Sequence, residues 1–278
     1  MPIRLVATDL DGTLLHDDLS VSPRTRAALD AARAAGVQVV PVTARQPIGL
    51  RQIAEEAGFD EWAVCSNGAL GVHLTSGEVI FEQTVGVAVQ RRLASALKPL
   101  VDGLLFVSVR DGGEGFVPQQ GYTAIAADRD HKRDVATMGS HTLEEVLAEP
   151  SLKLIVRHPD RPVDELLDIV RGAGVAGFAA THSGAPFVEV MAEGISKAWG
   201  IARLCDRLGI TAEEVLAFGD APNDAELLAW AGRGVAVANA SAAALAAADE
   251  ISPSNEEDGV AQVLEKLLLQ QSVVIPTA

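Results

Sequence analysis

The chain has 278 residues (29.0 kDa), 48% of them hydrophobic, enough for one large core or for one core with a smaller satellite. Only 22 basic residues stand against 38 acidic ones, and the formal charge of −16 argues against nucleic acid or an anionic membrane surface as partner. No apolar run approaches the roughly 18 residues of a bilayer span, no leader with a cleavage site is recognisable, and Cys65 and Cys205 sit among apolar neighbours, so a cytoplasmic protein without disulfides is expected.

The first predicted element is the apolar run Ile3, Leu5, Val6, Ala7, a buried strand that ends in Asp9-Leu10-Asp11-Gly12-Thr13. Side chains alternate along a strand, so Asp9 and Asp11 project on one side near its carboxyl end, where open α/β sheets gather their ligands. Two carboxylates about 4 Å apart repel by roughly 4 kcal/mol at an effective dielectric near 20, so the pair expects a cation or a shared proton. An ordinary strand-to-turn transition with Asp-Gly as turn residues fits the same stretch. A calcium loop does not, because its sixth and twelfth positions would be Leu14 and Ser20 instead of glycine and glutamate.

Ser22-Pro23 then caps a helix closed by Gly36, and a strand over 37–42 ends in Thr43-Ala44-Arg45. Pro47 opens a helix stopped by Gly58, and a third strand, 62–66, leads into Asn67-Gly68-Ala69. Strands alternating with helices over short loops predict right-handed βαβ crossovers and a parallel sheet. From about Gly71 the pattern changes to a hairpin around Thr75-Ser76-Gly77-Glu78, a helix over 87–100, a strand over 104–109 and a glycine-rich turn at 111–115. Residues 122–142, with the mixed charges of 128–134, read as a solvated loop. A helix at 142–148, a strand at 152–157, a helix at 163–171 and strands at 178–181 and 187–191 complete a separate α+β unit.

The first pattern returns with Ser196 capping a helix over 197–208, which Gly209 ends, and a Thr211-x-x-Glu214 capping box. A strand over 215–218 opens into Gly219-Asp220-Ala221-Pro222-Asn223-Asp224 and a helix through Trp230; a strand at 234–238 and helices at 241–249 and 257–269 follow. The expected fold is α/β, a Rossmann-like doubly wound parallel sheet formed by residues 1–84 and 188–278, with an inserted α+β domain at 85–187.

Several motifs fail on context. Gly172-Ala173-Gly174-Val175-Ala176-Gly177 has the glycine spacing of a dinucleotide loop but follows a helix and precedes a strand, the reverse of what that loop needs. No P-loop is present, the six histidines never fall at metal-ligand spacing, and Ser66 and Ser183 lie outside any nucleophile elbow. What survives stands at the ends of predicted parallel strands: Asp9 with Asp11, Thr43, Asn67, and Asp220 with Asp224. Lys197 opens a helix, where the macrodipole disfavours a cation, a placement that hints at function.

In this order and at these strand ends the motifs resemble the haloacid dehalogenase-like hydrolases, specifically their Cof-like sugar-phosphatase branch. Asp9-Leu10-Asp11-Gly12-Thr13 is similar to the first family motif, Thr43 to the second, Lys197 in Gly194-Ile195-Ser196-Lys197 to the third, and Gly219 to Asp224 to the fourth. Ser66-Asn67-Gly68-Ala69 matches as well, and the insertion resembles the branch's C2-type α+β cap. The resemblance implies a magnesium-dependent phosphatase in which Asp9 is the nucleophile and Asp11 the general acid and base. It further implies Mg2+ held by Asp9, the backbone carbonyl of Asp11, Asp220 and, through a bound water, Asp224. Thr43 and Lys197 would hold the phosphoryl oxygens, with backbone N–H groups of Leu10 and Ala44 and the side chain of Asn223. Arg45 and Asn67 would stand at the mouth. Relatives commonly carry glycine where this chain has Ala44, and the added methyl is expected to tighten the phosphate loop. The implied partner is a small phosphorylated metabolite, a sugar phosphate chosen by the cap, with the protein a monomer or small homo-oligomer. A phosphomutase and a non-catalytic sensor of phosphorylated metabolites are the alternatives.

Overall fold

A computed structural model describes residues 2–131 and 134–274. Elements follow in chain order: β1 (Leu5–Thr8), α1 (Pro23–Ala34), β2 (Gln38–Pro41), α2 (Arg51–Ala57), β3 (Trp62–Cys65), β4 (Leu70–His73), β5 (Val79–Glu82) and α3 (Val87–Leu97). Then come β6 (Leu105–Arg110), β7 (Gly115–Pro118), α4 (Asp128–His131), α5 (Leu143–Val146), β8 (Lys153–Arg157), α6 (Val163–Arg171), β9 (Phe178–Thr181) and β10 (Val188–Ala192). The last third holds α7 (Lys197–Leu208), β11 (Val215–Gly219), α8 (Ala225–Trp230), β12 (Arg233–Val237), α9 (Ala242–Ala247), β13 (Glu250–Ser252) and α10 (Gly259–Val274). None of the described helices is long and apolar enough to cross a membrane.

Five strands form a parallel sheet in the order β13-β12-β11-β1-β2. β1 lies between β11 (Leu5 beside Val215) and β2 (Leu5 beside Gln38), and all four of its residues are buried. Its alternation decides the layers. Val6 joins Val39, Leu29 of α1 and Val260 and Leu264 of α10 on one face, while Leu5 and Ala7 join Ile201 and Leu204 of α7 and Leu227 of α8 on the other. Because the strand order runs outward from β1 in both directions, the carboxyl end of β1 is the topological switch point, where the two crossovers part and leave a crevice.

The second sheet is antiparallel, in the order β7-β6-β8-β10-β9. Phe106, Leu154, Val156, Val188 and Val190 pack on one of its faces against Leu93 and Leu97 of α3 and Leu166 and Val170 of α6. Val107, Val109, Ile155, Tyr122 and Phe187 form a smaller cluster on the other.

Three expectations change. β3 does not run alongside the main sheet as a further strand: it pairs antiparallel with β4, and a single parallel bridge, Val42 to Val64, with Thr43 N–H donating to Val64 O, joins it to the segment after β2. The chain reverses at once after Cys65, through Ser66 and Asn67 in the left-handed region (φ 51° and 56°) and Gly68 at φ 96°, which lays β4 back along β3. The inserted sheet runs through Ala192, beyond the expected limit of 187, because β10 bonds to both β8 and β9. Residues 122–142 are not uniformly solvated: Tyr122 is fully buried and Asp128–His131 forms a helical turn, while Lys132 and Arg133 lie outside the described residues.

Candidate active site

Beyond Thr8 the ladder continues for one residue, with Asp9 N–H donating to Phe218 O at 3.0 Å, so the Asp9 carboxylate is aimed by the sheet itself. Lys197, the first residue of α7, reaches it: Nζ lies 2.9 Å from Asp9 Oδ1 and 2.6 Å from Asp224 Oδ1. The capping hydroxyl of Ser196, accepting from Trp199 N–H, fixes where that helix begins. Lys197 is only 1% exposed. Burial opposes its charge, yet the carboxylates of Asp224 and Asp9 outweigh burial and hold the ammonium protonated well above the ordinary lysine range.

Asp224 is fully buried, and its other oxygen, Oδ2, accepts from the N–H groups of Asp220 (3.1 Å) and Ala221 (3.0 Å). Asp220 Oδ1 accepts from Thr13 Oγ1 at 2.7 Å. Carboxylate oxygens of Asp9, Asp220 and Asp224 lie within 4.8 Å of one another, a group that could hold a metal ion. Burial, followed by the charge of Asp224, pushes the proton affinity of Asp9 well above the usual carboxylate range, with Lys197 opposing. The same two causes raise Asp220 to about 6, against the Thr13 hydroxyl and Lys197. One ammonium is too little charge for three clustered carboxylates, two of them buried and Asp220 partly so, and a second cation would offset the excess. Gly12 makes room: at φ 77°, a Cβ there would stand 2.6 Å from Asp220 Oδ2.

Across the crevice, Thr43 is buried, its N–H donating to Val64 O at 2.9 Å and its hydroxyl accepting from Arg45 N–H at 3.1 Å. Ala44 stays out of the left-handed region, so its methyl costs no backbone strain there. Arg45 does not stand free at the mouth. Its guanidinium grips Asp11 as a fork, Nε to Oδ2 at 2.6 Å and Nη2 to Oδ1 at 2.5 Å, and a third N–H reaches Gly49 O. Leu10 turns its side chain into the core while its carbonyl accepts from the N–H groups of Thr13, Leu14 and Leu15, which curls the loop that follows Asp9 and carries Asp11.

Asp9, Asp11, Thr43, Ala44 and Arg45 line a cavity of about 450 Å³ whose other wall belongs to the inserted domain, with Asp130 and His131 of α4, Lys153 of β8, Phe187 just before β10 and Glu189 within it. Asn67 and Asn223 are bonded to each other (Nδ2 of Asn223 to Oδ1 of Asn67, 2.9 Å) and line a second cavity of about 430 Å³ on the far side of Lys197. Sequence reasoning named no residue of the inserted domain. A lysine in Leu152-Lys153-Leu154-Ile155-Val156, five consecutive buried residues, was the signal available. Gly68 and Gly200 were also missed: they bring the Ser66–Gly68 turn against α7 so closely that a Cβ on Gly68 would lie 1.9 Å from Ser196 O, and one on Gly200 would lie 2.8 Å from Gly68 Cα.

A family model described as haloacid dehalogenase-like hydrolase matches residues 6–264. The Bacillus subtilis protein YxeH is 30% identical over 280 residues, covering 96% of this chain and 98% of its own. The 5-amino-6-(5-phospho-D-ribitylamino)uracil phosphatase YcsE of the same organism is 27% identical, with 96% of each chain covered. Among solved structures, BT1666 of Bacteroides thetaiotaomicron, described among phosphatases of the haloalkanoate superfamily, superposes with a TM-score of 0.81 at 25% identity, over 96% of this chain and 95% of its own. With four motif segments gathered on one sheet edge and a family match spanning both the core and the insertion, the chain belongs to the haloacid dehalogenase-like hydrolases and is a phosphomonoesterase of that family.

Proposed function

We propose that this phosphomonoesterase depends on magnesium, proceeds through an aspartyl-phosphate on Asp9, and acts on a phosphorylated sugar or related polyol. The observation that carries the reading is the crowding of Asp9, Asp220 and Asp224, with a single ammonium bridging Asp9 and Asp224, where Asp9 reaches the 450 Å³ cavity. An all-oxygen donor set with unrelieved negative charge suits Mg2+. Asp9 and Asp220 would hold it with the backbone carbonyl of Asp11. Asp224, whose oxygens are engaged by Lys197 and two backbone N–H groups, would act through a water. When bound, the ion would supply Lewis-acid neutralisation of phosphoryl charge.

The chain's own residues would do the rest. Asp9, oriented by the β11 ladder and Lys197, attacks phosphorus; the bond to the alcohol oxygen breaks as Asp11 delivers a proton to it. Water then attacks the aspartyl-phosphate as Asp11 takes back a proton, and phosphate leaves with Asp9 restored. Thr43 and Lys197 bind the phosphoryl oxygens throughout. Since Arg45 covers both oxygens of Asp11, proton delivery requires one arm of that fork to open. The ribityl phosphate in the name of YcsE's substrate, together with polar groups on the roof of the cavity, supports a polyol leaving group.

The test is phosphate release from a panel of phosphomonoesters. Turnover is expected with magnesium, none with EDTA, and at least about a thousandfold loss in Asp9→Asn with its fold intact, since removing a covalent nucleophile leaves only binding and electrostatics. Metal-independent turnover, or an active Asp9→Asn, would overturn the reading.

A further inference from the structure

The inserted sheet has a covered face and an open one. Leu154 and Val156 point to the helices; Lys153 and Ile155 alternate with them and line the catalytic cavity, with Glu189 on β10 in register with Ile155. Lys153 and Glu189 are 4% and 1% exposed, and Nζ of the lysine lies 2.5 Å from Glu189 Oε1. A buried ion pair is weak evidence for stability, because apolar residues of similar volume commonly do as well. Its position over the reacting centre therefore calls for another account.

The count of hydrogen bonds gives one. A lysine ammonium has three N–H groups. One goes to Glu189 Oε1, and a second crosses to the core, donating to Ala44 O at 2.9 Å, one residue from Thr43. The third has no acceptor among the described contacts. Glu189 Oε2 is buried with no partner among the described residues. The pair thus keeps one donor and one acceptor side by side, next to the phosphate loop, and a hydroxyl group is the ligand that supplies one of each.

We infer that Lys153 and Glu189 select the leaving alcohol by hydrogen-bonding a hydroxyl on a carbon near the ester oxygen, an inference that rests on the proposed phosphatase chemistry of the same cavity. Lys153 donates to the hydroxyl oxygen and Glu189 Oε2 accepts its proton. An alkyl leaving group would bury both groups unpaired, and a second anionic group would face the glutamate. The bond to Ala44 O makes the contact report directly to the loop that holds the phosphate.

The experiment compares kcat/KM for sugar and alditol phosphates with alkyl phosphates of the same carbon number, with magnesium present. Wild type should prefer the best hydroxylated ester by about a hundredfold, as sites built to hydrogen-bond a substrate hydroxyl do at the least. Glu189→Gln and the volume-conserving pair Lys153→Met with Glu189→Leu should cut that preference about tenfold or more, the hydroxylated esters losing more kcat/KM than the alkyl esters. Equal losses on both series, an unchanged preference, or loss of folding in both variants would make the pair structural and overturn the inference. A wild type that turns over both series without preference would overturn it while leaving the phosphatase reading intact. No turnover on any ester would sink that reading itself.

Discussion

Asp220→Asn tests the electrostatics of the site most directly. The carboxyl stands at about 6 in the folded chain against 3.8 ordinarily, raised by burial and by Asp224. A folded state that binds the proton more tightly than the unfolded one loses stability as pH rises between those values. The loss is complete above about pH 6 and amounts to roughly 3 kcal/mol for 2.2 pH units at about 1.36 kcal/mol each. Asparagine keeps an acceptor for Thr13 Oγ1 but carries no charge. In EDTA at pH 8 the variant should therefore be more stable than wild type by up to about 3 kcal/mol, or up to about 5 °C in Tm for a chain of this size. At pH 4 the two should nearly coincide. Magnesium should narrow the gap: at about a hundred times its Kd it would stabilise wild type by roughly 2.7 kcal/mol, and the variant, short of a ligand, by much less. Thermal unfolding of both proteins at pH 4, 6 and 8, with magnesium and with EDTA, reads all of this. A variant no more stable than wild type in EDTA at pH 8, or equal stabilisation of both by magnesium, would refute the assignment of Asp220 as a strained, ion-relieved carboxylate.

Two further substitutions address the acid and the scaffold. Asp11→Ala should slow departure of poor leaving groups far more than that of p-nitrophenol, by about 10²–10³ in the ratio of rates, since only the former need the proton; equal slowing of both would argue against its acid role. Gly68→Ala places a methyl 1.9 Å from Ser196 O at φ 96°, and the start of α7 must move or strain. The expected result is destabilisation of about 2 kcal/mol or more and a fall in kcat with little change in KM, because Lys197 shifts against Asp9. A fully active, equally stable Gly68→Ala protein would show that the contact does not set the position of Lys197.

Much of this molecule is legible along the chain. The continuous apolar run of β1, the cap at Ser22 with Pro23, the cap at Ser196 and the glycine stops at Gly58 and Gly209 are local facts, and each element appears within a few residues of where its pattern places it. Acidic strand ends and the misplaced helical lysine were enough to gather Asp9, Lys197, Asp220 and Asp224, because parallel strands deliver their carboxyl ends to one edge whatever lies between them. Tertiary structure alone decided the rest. That Arg45 grips Asp11, that β3 turns back to pair with β4, and that Asn67 answers Asn223 depend on which side chains meet after folding. Above all, Lys153 and Glu189 carry no motif: 36 residues apart on neighbouring antiparallel strands, they become a pair facing the phosphate loop only when the inserted sheet lies over the crevice. Spacing along a chain reports what one strand or helix presents, whereas contacts between elements depend on register and docking, which no single stretch of sequence contains.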